Sequence, residues 1–258
     1  MIGKLGKLPP KHDARTLRLA NYIDLAKLPP IPAVHKWSTA VATPIGMMKN
    51  DSVGDCAYAT FGHAEQVWTA NAGKEWTPSD NDVITAYSAG TGFDPKQTQS
   101  DGSNPTDQGA VLLDVLNQMR KTGIAGHKIG AFAAIDLKNR VHVEAAVYLF
   151  GGVAIGLNLP LSAQAQVGKL WKVPFYGARW NGAPGSWGGH AVFTPDHSKV
   201  GPACATWGEW QAMTWSFWAR YCDECFAILS PDWVSPDKKA PSGFDLATLQ
   251  SDLAEVTK

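Results

Sequence analysis

An α+β fold is what this sequence predicts, and three observations lead to it. Helical periodicity dominates the first half of the chain, short apolar runs of strand character dominate the second, and 258 residues suffice to bury a sizeable core. Elements segregated in this way argue for a helical lobe facing a sheet lobe rather than an alternating β/α architecture. The predicted organisation is one domain over 1–258, with an N-terminal arm (1–40), a helical lobe (41–125), a sheet-rich lobe (126–235) and a C-terminal tail (236–258).

Residues 1–36 are rich in Pro, Lys and Leu and carry two Leu-Pro-Pro turns, at Leu8-Pro9-Pro10 and Leu28-Pro29-Pro30. Ala14 to Leu25 is read as a short helix between them, and the whole stretch as an arm laid over the body, since it lacks the apolar content of a core. A polar loop, Met48 to Asp55, then runs into Cys56, which opens a helix with Phe61, Ala64, Val67 and Trp68 on one face. Asp55 is a good N-cap residue there. Thr77-Pro78-Ser79 signals entry to a helix over Asp80 to Ala89, and Gly90 to Asn104 reads as an exposed loop. Asp107 to Thr122 is the clearest helix, with Val111, Leu112, Val115, Leu116 and Met119 on one face and Gly123 as its C-cap glycine.

Lys128 to Ala134 has strand character, Leu137 to Phe150 helical spacing, and Gly152 to Leu157 reads as a buried strand ended by Pro160. Ser162 to Lys169 is a further short helix, and Pro174 to Gly188 is a Gly/Pro/Trp-rich loop. Strands follow at His190 to Thr194 and Ala203 to Trp207, then a helix at Thr214 to Cys222, a strand at Phe226 to Leu229, and a terminal helix at Asp245 to Val256.

Composition excludes several classes. Lys+Arg and Asp+Glu balance at 23 and 23, so nothing draws the chain to nucleic acid or to a membrane surface. The longest apolar runs fall short of a membrane span and Met1 to Pro10 lacks a signal-peptide core, which predicts a cytoplasmic protein. Four cysteines (Cys56, Cys204, Cys222, Cys225) are too few for a disulfide scaffold at this size.

The chemistry is expected at Cys56 and His190. A thiol in the first helical turn meets the positive end of the helix dipole, which favours thiolate, while the carboxylate of Asp55 opposes it. A buried, inert cysteine is the commoner fate of any single Cys. His190 stands behind Gly188-Gly189 at the start of a strand, and a lone histidine is more often structural. Together, a helix-start cysteine and a strand-start histidine supply what thiolate catalysis needs: a nucleophile and a base that later returns the proton.

The loop Asn50-Asp51-Ser52-Val53-Gly54-Asp55-Cys56 resembles the active-site loop of papain-like cysteine peptidases, where a glutamine stands six residues before the nucleophile. His190-Ala191-Val192 resembles the family's His-Ala-Val strand start, and Ala205-Thr206-Trp207-Gly208 its Asn-Ser-Trp-Gly motif. Thr106-Asp107-Gln108-Gly109 with the helix after it is similar to the second helical segment of bacterial members. The loop is also similar to phage and prophage proteins with an Asn-Asp-x-x-Gly-Asp-Cys motif, which would make the chain phage-encoded or virion-associated. The resemblance implies a papain-like two-lobed fold, with a helical N-terminal lobe and an antiparallel β-sheet or barrel as C-terminal lobe. It further implies a hydrolase of peptide or isopeptide bonds acting on a peptide or protein substrate, with no cofactor. Cys56 would be the nucleophile, His190 the base and acid, and Asn50 an oxyanion donor one methylene shorter than glutamine. Two departures stand out. Ala205 occupies the position of the family's histidine-orienting asparagine, and only about fifty residues precede Cys56, too few for a long pro-segment. Ala205 and the shorter donor Asn50 favour the alternative, a catalytically weak or inactive papain-like module with a binding or structural role, whereas the intact Cys56 and His190 pair favours the hydrolase.

Other groupings weigh less. Cys222-Asp223-Glu224-Cys225 lacks a second pair for zinc and is read as split between core and surface, and His63 as a core histidine. Trp207, Trp210, Trp215 and Trp218 read as core and groove wall.

Overall fold

The computed structural model describes residues 3–24, 28, 30–234 and 240–242. Among the described residues, five α-helices and seven strands form in the order β1 (His35–Lys36), α1 (Cys56–Asn71), α2 (Asp80–Thr91), α3 (Leu112–Lys121), β2 (Ala131–Ala134), α4 (Arg140–Phe150), β3 (Val153–Leu159), β4 (Gly188–His197), β5 (Pro202–Thr206), β6 (Glu209–Ala212), α5 (Trp215–Tyr221) and β7 (Cys222–Leu229). The strands make one antiparallel sheet in the order β2-β7-β3-β4-β5-β6. β4 outlasts β3, and β1 pairs with its free end at Asp196 and His197. The result is the two-lobed α+β arrangement, with α1 to α3 on one side and the sheet on the other.

Helix α1 is the axle between them. Every residue from Cys56 to Thr69 is buried, so the one-sided apolar face expected from sequence is only part of what it hides. Several of its polar side chains find acceptors: Thr60 and Thr69 donate back to Cys56 O (2.8 Å) and Glu65 O (2.6 Å), and Gln66 donates to Thr43 Oγ1 at 2.8 Å. The C-terminal end of α4 is buried as well, which would strand its last carbonyls. Three indoles from separate segments resolve this, with Trp37, Trp68 and Trp233 donating to Val147 O, Phe150 O and Leu149 O at 2.9, 3.0 and 2.8 Å. Gly151 closes the helix with φ 76°, and a Cβ there would lie 2.6 Å from the Trp233 ring.

Several expectations shift. Ala14 to Leu25 does not form an α-helix: its described part holds only a 3₁₀ turn, Leu19–Asn21, and Leu25 lies outside the described residues. Helix α3 begins at Leu112 instead of Asp107, because Ala110 is drawn into main-chain pairing with the arm and Gly109 takes φ 72°. Strand β6 was not anticipated; Trp207 and Gly208 both have positive φ (48° and 76°) and turn β5 back on itself. The end of the presumed arm is core, with β1 in the sheet and Trp37 buried. The expected terminal helix at Asp245 to Val256 lies outside the described residues.

Candidate active site

The loop before α1 turns through two left-handed residues, Met48 (φ 54°) and Lys49 (φ 66°), and delivers Cys56 to the helix start, 1% exposed. Asp55 occupies the N-cap, but its side chain makes no capping bond. Both of its oxygens are buried without a partner, and burial pushes its carboxyl up to about 8. At neutral pH it is therefore an uncharged acid and not the cap expected from sequence, while at the higher pH where the thiol ionises its charge opposes the thiolate, as expected. The Cys56 sulfur accepts the Ala191 N–H at 3.4 Å, which sets it against the main chain beside His190. Burial pushes the thiol up to about 11, with the Ala191 and Gly6 amides pulling the other way. The helix-dipole effect expected from sequence is thus outweighed here by desolvation.

His190 is buried at the start of β4. Its Nε2 lies 2.7 Å from Thr206 Oγ1, and its ring stacks on Trp207 with centroids 4.4 Å apart and planes at 21°. Nδ1 has no hydrogen-bond partner. Burial, and secondarily the nearby His63, hold the imidazole down to about 3. The orienting group is therefore Thr206, not a residue at position 205. Ala205 pairs with Phe193 and Trp210 in the sheet, and the next residue along the strand turns its side chain to the imidazole. Asp196, on the same strand as His190, is engaged with Ser38 N and Oγ at 3.0 and 2.6 Å. His63 is a core histidine, its Nε2 2.9 Å from Gly46 O.

Asn50 is 2% exposed, and its Nδ2 donates to Val53 O and to Lys4 O, both at 3.1 Å. The second acceptor belongs to the N-terminal arm. Residues 3–8 run through the cleft between the lobes and are held by main-chain bonds on both walls: Lys4 N to Asn50 O (2.6 Å), Lys7 N to Gly189 O (3.1 Å), Leu8 N to Ala110 O (2.9 Å) and Ala110 N to Gly6 O (2.8 Å). A Cβ on Gly6 would lie 1.8 Å from Gly54 O, and one on Gly3 would lie 2.1 Å from the Trp207 ring, so the arm passes this close only as glycine. What faces the Cys56 sulfur is the Gly6 amide, a hydrogen-bond donor rather than a carbonyl carbon.

Two lysines pin the arm. Lys4 Nζ sits 2.7 Å from Asp107 Oδ2. Burial would raise the Asp107 carboxyl, but Lys4, the Tyr87 hydroxyl and the Gly54 amide together hold it low. Lys7 is buried and reaches Asp223 Oδ2 (2.9 Å) and Glu224 Oε1 (3.3 Å) on β7. Burial, only partly offset by Lys7, pushes Glu224 up to about 7.

Of the remaining cysteines, Cys222 is half-buried and Cys225 buried on the same strand, the split between core and surface expected from sequence, and neither is in a disulfide. Among the described residues, one group could hold a metal ion, and it was not foreseen: Glu65 on α1, His127 and Asp232, with His127 Nδ1 3.8 Å from Glu65 Oε2 and 3.1 Å from Asp232 Oδ2. It lies more than two helical turns along α1 from Cys56. A cavity of about 950 Å³ is lined by residues such as Leu17, Gly90, Leu113 and Phe132 and does not include Cys56 or His190. No described helix is long and apolar enough to cross a membrane.

No family model and no curated protein matches this chain. Solved structures do resemble it. Xylellain, a cysteine protease from Xylella fastidiosa, is 13% identical over 88% of this chain and 96% of its own, with a TM-score of 0.67. The Carica candamarcensis cysteine protease CMS1MS2, solved in complex with E-64, is 10% identical over 78% and 99%, with a TM-score of 0.51. The digestive procathepsin L 3 of the Tenebrio molitor larval midgut is 10% identical over 85% and 75%, with a TM-score of 0.52. At these identities the likeness is one of fold, and the fold is that of papain-like cysteine proteases.

Proposed function

We propose that this chain, which has the papain-like fold, is a cysteine hydrolase of peptide bonds kept latent by its own N-terminal arm. The observation that carries the reading is the set of contacts around one point of the cleft. Cys56 opens α1, the amide next to His190 touches its sulfur, and the imidazole is held by Thr206 on one nitrogen and roofed by Trp207. Nδ1 is the nitrogen left to take the thiol proton. The thiolate then attacks the substrate carbonyl, and the developing oxyanion is met by the Cys56 amide at the helix start and by Asn50 Nδ2, which already donates to a carbonyl of the arm. The imidazolium returns its proton to the leaving amine, and water releases the acyl group by the same steps in reverse. With the arm in place, thiol and imidazole are both neutral over a wide pH range. Opening the cleft to water relieves the desolvation that keeps them so.

That same neutral, covered pair is what favours the second reading, a silent papain-like module with a binding or virion-structural role. Ala205, which also supports it, weighs less because Thr206, the next residue, lies 2.7 Å from the imidazole. Cys56→Ala separates the two. It should abolish peptide turnover in an arm-opened protein while leaving the thermal midpoint in place, and turnover that survives the change would refute the nucleophile assignment.

A further inference from the structure

The arm also reports on what the cleft selects. Lys7 is the innermost arm side chain, with no exposed surface on it, and burying an ammonium is costly unless it is well paired. Two carboxylates meet it, those of Asp223 and Glu224 at adjacent positions of β7. The aliphatic stem fits because residue 156 on the neighbouring strand is glycine. A Cβ there would lie 2.2 Å from Lys7 Cε and 2.6 Å from Glu224 Cγ, at the point where the β3–β7 register slips. The pocket is therefore shaped by three residues of the sheet lobe.

Its position ties it to the reaction. Lys7 N is bonded to Gly189 O, one residue before His190, and Gly6 lies on the Cys56 sulfur. Any peptide replacing the arm sends a side chain to the same place. The pocket is also under-filled by lysine. Lys7 Nζ donates to Asp223 Oδ2 and Leu8 O and meets Glu224 Oε1 at 3.3 Å without hydrogen-bond geometry, and Asp223 Oδ1 is buried with no hydrogen-bond partner at all, so the ammonium leaves acceptor capacity of both carboxylates unmet. A guanidinium, with five donors in a planar fork, can reach oxygens that a single point charge cannot. An open cavity of about 410 Å³ adjoins Asp223 and Glu224 and gives the longer side chain room.

We propose that Asp223, Glu224 and Gly156 form a specificity pocket for a basic side chain, preferring arginine to lysine, in the peptide that displaces the arm. The inference rests on the reading of the cleft as the substrate site, and its test separates the two. Full-length Lys7→Ala, which empties the pocket, is offered a positional peptide library. Full-length Lys7→Ala/Cys56→Ala is titrated with synthetic peptides of the arm sequence Gly3 to Pro10 bearing arginine, lysine or norleucine at the seventh position. The expected result is binding in the order arginine, lysine, norleucine, with at least about a hundredfold between first and last, and the same side chain favoured in the library. Both preferences should vanish in Asp223→Asn/Glu224→Gln. If the library is untouched but the binding order holds, the pocket stands and the hydrolase reading falls. Norleucine binding as tightly as arginine, or a preference that survives the double replacement, overturns the pocket. Should Lys7→Ala fail to fold, Gly6→Val, which displaces the arm through its backbone, takes its place in both assays.

Discussion

Replacing Gly6 by valine tests whether the arm governs the thiol. The first carbon of any side chain at position 6 would stand 1.8 Å from Gly54 O, where ordinary contact begins at 3.4 Å, so the arm must withdraw by about 1.6 Å. The Ala110 N to Gly6 O bond, 2.8 Å long, cannot survive that displacement, and the neighbouring bonds of Lys4, Lys7 and Leu8 belong to the same short strand. Four main-chain bonds at about 1 kcal/mol net each amount to about 4 kcal/mol. Since about 1.4 kcal/mol is one decade, the open fraction of the cleft should rise roughly a thousandfold. Alkylation reports on that fraction, because a reagent reaches the buried sulfur only when the arm is away. The assay is iodoacetamide labelling at neutral pH, read by peptide mapping so that Cys56 is followed separately from half-buried Cys222. Gly46→Ala serves as control, since a Cβ there meets nothing closer than 3.7 Å. Equal Cys56 labelling rates in wild type and Gly6→Val, with both proteins folded by near-UV dichroism, would refute the claim that the arm is the gate.

Two further outcomes follow from the site. In the Gly6→Val background, Thr206→Val should lower kcat about 10–100-fold with KM little changed, because the hydrogen bond it removes is worth about 1.5–3 kcal/mol once the imidazole is charged. Thr206→Asn should restore part of the loss, and an unchanged kcat in the valine variant would show that Thr206 does not orient His190. Asp55 makes stability pH-dependent. Its carboxyl ionises near 3.8 in the unfolded chain and only near 8 in the folded one, so between those values folding takes up a proton. The stability it confers is complete below about pH 4 and is lost as pH rises through about 8, at about 1.4 kcal/mol per unit. Asp55→Asn should flatten that decline in urea midpoints measured from pH 5 to 8; parallel slopes in the two proteins would contradict the buried, protonated acid.

How much of this could be read from sequence varied with the kind of interaction. Cys56 and His190 were legible because each marks the start of an element, and the loop at Asn50 because its spacing to the cysteine is local. Spacing matched the family's asparagine to Ala205 and left its neighbour Thr206 and Asp196 as substitutes, because motif spacing does not say which of two adjacent strand residues faces the imidazole, and alternation along the strand decides that. Asp55 reads as an N-cap by residue type, yet the cap was not made, since no local pattern reveals that both of its oxygens end up buried. The arm was recognised as a segment lying on the body, but its place in the cleft comes from tertiary pairing with residues such as Asn50, Ala110 and Gly189. Its sequence marks are small: glycines at 3 and 6 where backbones nearly touch, and lysines at 4 and 7 aimed at opposite walls.

Those opposite walls give the arm a mechanical role as well. Through Lys4 it grips Asp107 and Asn50 beside the helices, and three residues later, through Lys7, it grips Gly189 and Asp223 on the sheet. The same short strand is thus a tether drawn across the mouth of the cleft, and its length fixes how far apart the two walls stand. Once it leaves, that gauge is gone. The walls remain joined behind the site by α1 lying on β4, and the width of the cleft is then set by whichever peptide next bridges the two rims.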